Sequence, residues 1–167
     1  MIHTNALFAE QANVIAYAPL DMAGTPGIQT PYISLKNYAR ATVLLVCAAG
    51  GAETATMTFQ QATAIAGTGV KNLAVVTRID KKEHATALEG IGTWTTVAQA
   101  AGNTFALTQA VQSMVAIDIK AEDLDADNGF DVFRCTVADV GATAKLGAII
   151  VILWGSRYEP PLSPLVN

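Results

Sequence analysis

The sequence predicts an all-β protein, an antiparallel β-sandwich of about eight or nine strands. Three observations carry this reading. Short runs of alternating or continuous apolar residues recur at spacings near ten residues. Turn signals separate them, not long amphipathic helices. Charged residues make up only 14% of a 167-residue chain rich in Ala, Thr, Val and Gly, too few to cover a monomer's surface well. The strand count and long connections favour a jelly-roll-like arrangement, with an immunoglobulin-like topology as the alternative.

The elements follow in order. Residues 3–12 fit a short helix or an arm, and 13–17 a short strand. Residues 19–31 hold Pro19, Pro26 and Pro31 with two glycines and read as a long irregular connection. The stretch 33–40 (ISLKNYAR) predicts a strand with Ser34, Lys36, Tyr38 and Arg40 on one face. It runs on into 42–49 (TVLLVCAA), apolar on both faces and ended by Gly50-Gly51. Thr54, Thr56 and Thr58 alternate with Ala55, Met57 and Phe59, which predicts a half-buried strand. Residues 60–66 suggest one or two helical turns, stopped by Gly67 and Gly69. Alternation resumes at 73–79. The most charged stretch, 80–92, reads as a solvated loop, and strands follow at 93–98, 103–108 and 113–120.

The last third, 113–158, is the spine: MVAIDIK, an acidic turn, DVFRCTV, and then KLGAIIVILWGSRY. Phe133, Cys135 and Val137 share one face of their strand, and Arg134 and Thr136 the other. Residues 148–154 are apolar on both faces, as expected of a central strand or one covered by a neighbouring subunit. The organisation is an N-terminal arm and connection (1–31), a sandwich domain (32–158) and a Pro-rich tail (159–167). Pro160, Pro161 and Pro164 cannot continue a central strand.

Composition excludes several classes. Net charge is −4 and the ten basic residues are scattered, so phosphate-backbone binding is not favoured. The N-terminus lacks a basic region followed by an apolar run, and the apolar runs 41–49 and 146–154 are half a membrane span. Cys47 and Cys135 lie in apolar runs and read as reduced core thiols.

The strongest ligand-like cluster is Asp123, Asp125 and Asp127, with Asn128-Gly129 after it. Alternating carboxylates can converge on calcium. The match to a calcium loop fails beyond that, because the Gly is one position late and Arg134 stands where the closing Glu belongs. A solvated turn that reverses the chain is the stronger reading. Residues 66–71 lack phosphate-loop spacing and read as a turn. His3 and His84 sit in no motif with a nucleophile, and no G-x-S-x-G elbow is present. No cofactor or enzymatic activity is expected. Trp94 and Trp154 could stack on a sugar, but Trp154 ends an unbroken apolar run, which favours packing.

Several segments together carry a resemblance: Ala18-Pro19-Leu20-Asp21, Ser34 to Arg40, Gln60 to Lys71, Asp123 to Asp131, and Arg157-Tyr158. In this order they resemble a group of small virion proteins of tailed bacteriophages and prophages, the decoration (cement) or minor capsid proteins. The resemblance implies an oligomeric, non-enzymatic β-sandwich, favouring a homotrimer, made in the bacterial cytoplasm. It would sit on the capsid exterior and bind the major capsid protein. The expected contact residues are Pro19, Pro26, Pro31, Trp154, Arg157, Tyr158, Pro160 and Pro161. The competing expectations are a vertex spike-base, neck or tail component, or a carbohydrate-binding sandwich. Two substitutions test the spine. Ile150→Asp or Ile152→Asp is expected to prevent folding or assembly by burying an unpaired charge, read by soluble yield and native mass. Asp125→Ala is expected to be tolerated.

Overall fold

A computed structural model describes residues 13–16, 19–23, 28–51, 55–74, 76, 78–84, 93–97, 102–108, 110–138 and 140–157. Its strands are β1 (Asn13–Ala16), β2 (Leu20–Asp21), β3 (Ile28–Gln29), β4 (Ile33–Ser34), β5 (Tyr38–Cys47), β6 (Ala55–Ala62) and β7 (Lys71–Asn72). They continue with β8 (Arg78–His84), β9 (Thr95–Val97), β10 (Thr104–Leu107), β11 (Gln112–Lys120), β12 (Val132–Val137) and β13 (Leu146–Ser156). Two 3-10 turns, Ala121–Asp123 and Ala126–Asn128, lie between β11 and β12.

These strands make two antiparallel sheets packed face to face, the all-β sandwich that the periodicity predicts. The first sheet has seven strands in the order β1-β13-β5-β11-β8-β9, with β2 also on β13. The second has six, in the order β10-β6-β12-β3, with β4 on β12 and β7 on β6. From β10 to β13 each strand lies in the sheet opposite its predecessor, so the connections cross the ends of the sandwich.

The period-2 pattern decides what is inside. Ala41, Val43, Leu45 and Cys47 of β5 point inward, as do Val115, Ile117 and Ile119 of β11 and Ile149, Val151 and Leu153 of β13. Met57 and Phe59 of β6 and Phe133, Cys135 and Val137 of β12 meet them from the other sheet in one continuous core. Each such aliphatic or aromatic side chain contributes roughly 1.5–3 kcal/mol by leaving water.

Four expectations change. Residues 33–40 are not one strand. Leu35, 1% exposed, takes a core position, a turn at Lys36–Asn37 follows, and the chain passes from the second sheet to the first. Tyr38 N–H donates to the Leu35 carbonyl (3.0 Å) and closes that turn. Within β5 the alternation breaks once more, at Ala39–Arg40, which are both exposed, so Tyr38 is buried while Arg40 is not. Residues 60–66 are not helical: β6 runs through Ala62 and a tight turn follows.

Residues 80–84, expected in a loop, belong to strand β8. Its charges pair two residues apart, Arg78 with Asp80 (2.6 Å) on one face of the strand and Lys81 with Glu83 (2.9 Å) on the other, which strand geometry allows. Finally, the described parts of the N-terminal 31 residues do not form a separate arm. β1 and β2 pair with β13, and β3 pairs with β12.

The edge made by β3 and β4 explains Pro31. Both short strands pair with β12, and the register gains one residue between them on this edge. Pro31 lies in that bulge, where its missing N–H costs no ladder bond. Thr30 bridges the gap: its N–H donates to the Cys135 carbonyl and its hydroxyl accepts from Cys135 N–H, both at 2.9 Å.

The core residue Phe133 gives a direct check. Phe133→Ala should cost about 3–5 kcal/mol in urea unfolding, while Thr136→Ala on the opposite face of β12 should cost far less.

Candidate functional site

The feature left over once the core is accounted for is the outer face of the first sheet. Because β13 and β5 pair in unbroken register from Gly147–Cys47 to Trp154–Arg40, their outward side chains line up in rows that β11 continues. One row is Ile150, Leu44 and Ala116. The next is Ala148, Val46 and Met114. Leu146 extends the same face of β13 and is 55% exposed. These side chains are exposed or half-buried, and they face away from the core.

One polar chain crosses this apolar field. The Trp154 indole N–H donates to the Thr42 hydroxyl (3.1 Å), which donates to Asp118 Oδ1 (2.6 Å). It ties β13, β5 and β11 together and holds the Trp154 ring against the sheet. Beyond Asp118, further charges lie on the next strand, β8. On β8, Asp80 takes the Arg78 guanidinium and the Thr96 hydroxyl, which together hold its carboxyl below the ordinary range.

Gly155 shapes the end of this face. It adopts φ +64°, and a Cβ there would lie 2.9 Å from that of Ala39. Past it, Arg157 N–H donates to the Asn37 carbonyl (2.9 Å), which turns the chain off the strand.

The acidic stretch does other work. Its three carboxylates face different partners. Asp123 accepts from Lys120 N–H (2.9 Å), Asp125 is ion-paired with Lys71 and accepts from the Asn128 amide (2.8 Å), and Asp127 is exposed. The Lys71 ammonium and the Asn128 amide hold the Asp125 carboxyl below the ordinary range. Lys71 also lies 3.7 Å over the Phe130 ring. Among the described residues, no three His, Cys, Asp or Glu side chains are grouped as a metal ion needs. The stretch does not form a hairpin: Leu124 (6% exposed) plugs the end of the core, and the chain crosses to the other sheet. Gly129 has a positive φ, +80°, and Asn128, which a tight Asn-Gly turn would also place there, does not.

The 66–71 stretch is a turn, closed by Thr63 N–H donating to the Thr68 carbonyl (2.9 Å). At the other end of the sandwich Lys145 is fully buried. Its ammonium reaches the carbonyls of Thr108 and Val111 (3.4 and 3.3 Å), and burial pushes its pKa down against the pull of Cys47 and Glu83. Both cysteines are free and buried. Burial pushes Cys47 up to about 11, although Lys145 and Ser113 pull the other way, and burial raises Cys135 as well.

The expected contact residues fall in different places. Trp154 and Arg157 stand at one end of the apolar face. Pro19 is exposed beside β2, and Pro31 lies at the far edge of the second sheet. Pro26, Tyr158, Pro160 and Pro161, with the 3–12 segment, His3 and the tail, lie outside the described residues. Trp94 is 50% exposed beside β9, away from Trp154. Leu44, Val46 and Met114 were not named from sequence. Their signal was there: TVLLVC and SMVAI carry apolar residues at both alternating positions.

The chain matches no family model, no curated protein and no solved structure.

Two outcomes follow. Neither thiol should react with Ellman's reagent in the native protein at neutral pH, and both should react in denaturant. Asp125→Ala should lower Tm slightly at neutral pH. The ion pair stabilises above the ordinary carboxylate pKa and is lost as pH falls through the depressed folded value. The difference from wild type should therefore vanish in strong acid.

Proposed function

We propose that the chain is a non-enzymatic virion structural protein that decorates and stabilises a bacteriophage capsid as an oligomer. The observation that carries this reading is the outward apolar face of β13, β5 and β11. A sheet face with Leu44, Val46, Met114, Ile150 and Ile152 toward water supports a role in which another subunit covers it. The low charge of the whole chain points the same way, and the resemblance of its segments to decoration proteins supplies the setting.

The mechanism is mass action. A protein that binds the assembled lattice and not its free subunits stabilises the lattice by the logarithm of its concentration over its dissociation constant. A trimer engaging three lattice points multiplies this without stronger single contacts.

Purified protein should behave as a trimer or other small ring, and should bind expanded heads but not free capsid subunits. A strictly monomeric protein that does not bind heads contradicts the proposal. Copy number separates lattice decoration from a vertex, neck or tail part, since a lattice offers many more sites. The strand's two faces also separate folding from assembly. Val151→Asp, facing the core, should give no soluble protein. Ile150→Asp, facing outward, should give a folded protein with a wild-type circular dichroism spectrum that fails to assemble. This refines the expectation that a charge at Ile150 or Ile152 blocks either process.

A further inference from the structure

Beside the Trp154 end of the apolar face, two adjoining hollows open where β5 begins and β11 and β13 end. The larger, about 320 Å³, has Arg40, Lys120 and Arg157 on its wall. The smaller, about 160 Å³, is lined by Leu35 and Leu124, with Lys36 and Asp131 beside them. Ala121 and Arg157 line both, so the two form one elongated cleft.

The charge here departs from that of the chain. The protein carries net −4, yet four of its ten basic residues line this cleft, against two acidic ones, Glu122 and Asp131. Elsewhere Lys71, Arg78 and Lys81 are held in ion pairs. In the cleft only Lys120 is so held, by Glu122 at 2.9 Å. Lys36, Arg40 and Arg157 have no ion-pair partner among the described residues. A rim that serves only solubility would spread its cations over open surface and would need no apolar hollow beneath them.

We infer that this cleft binds an extended acidic-aliphatic segment of another polypeptide, its carboxylate on Arg40 and Arg157 and its aliphatic side chain in the smaller hollow, over Leu35 and Leu124. Two guanidiniums suit a carboxylate because each offers paired N–H donors in a plane. At about 160 Å³ the smaller hollow has room for one aliphatic side chain. Glu122 and Asp131 disfavour a polyanion such as nucleic acid, whereas one or two carboxylates find net positive walls. The shared wall at Ala121 and Arg157 means that a ligand filling both hollows must be elongated. The inference holds whether or not the partner is a capsid protein, so its failure would leave the assembly proposal standing.

The test is a titration of the full ¹⁵N-labelled chain with the blocked peptide Ser-Gly-Glu-Leu-Asp-Leu-Gly-Ser, followed by amide shifts. Saturable shifts at Leu35, Ala121, Leu124 and Arg157 are expected. Replacing Glu and Asp in the peptide by Gln and Asn should weaken binding at least about tenfold. So should the double variant Arg40→Gln, Arg157→Gln, while Lys82→Gln, a charge removed from β8, should bind as wild type does. The peptide arm needs no variant, so misfolding of the double variant leaves the test intact. Absence of shifts, shifts confined to other residues, or equal binding of the Gln/Asn peptide would overturn the inference. Hexanoate binding as tightly as the peptide would also overturn it, by making the cleft a small-carboxylate site.

Discussion

The pairing of β13 with β5 is the constraint on which the rest depends. The two strands stay in one register over their shared length, and both are apolar at nearly every position. A strand alternates its side chains between two faces, so such a pair must present two apolar surfaces. One of them makes half the core, with Val43, Leu45, Ile149 and Val151 against Phe59 and Phe133. The other faces away from the second sheet. The outward face is thus a consequence of the strand sequences.

Charge is arranged around that pair. Ion pairs sit on β8, at the β7 turn and at the end of β11, and none lies on β13 or β5 among the described residues. The polar chain through Trp154, Thr42 and Asp118 uses the indole N–H and the Thr42 hydroxyl within the sheet face itself. Lys145 is the exception within the core, and carbonyls of the 108–111 connection meet its ammonium. It joins the β12–β13 connection to the one that crosses between the sheets. Replacing it would disturb the loops at that end before it disturbed the sheet.

How much of this was legible in the sequence depended on local pattern. β11 and β12 were readable because their alternation is uninterrupted, and β13 because its apolar run is, and the faces assigned to Phe133, Cys135 and Val137 hold. Residues 33–40 misled because one core residue, Leu35, takes the chain through a turn that shifts the period. Residues 80–84 misled because charge suggested solvent, although opposite charges two apart are a strand pattern. The acidic stretch could not disclose that it bridges two sheets, since that depends on Leu124 finding the core. At the apolar face, Trp154 and Arg157 could be named from sequence. Arg40, Leu44 and Met114 join them only through the register of β5 with its two neighbours, which no single segment encodes.

Hydroxyl-radical footprinting of the protein, free in solution and bound to expanded heads, tests the central claim most directly. Met114 and Trp154 both lie on the outward face, Met57 is fully buried, and Trp94 is half exposed beside β9. If the apolar face is where subunits meet, Met114 and Trp154 should oxidise much more slowly in the assembled state, with Met57 unreactive in both. Equal oxidation of Met114 and Trp154 in the free and assembled protein would contradict the account.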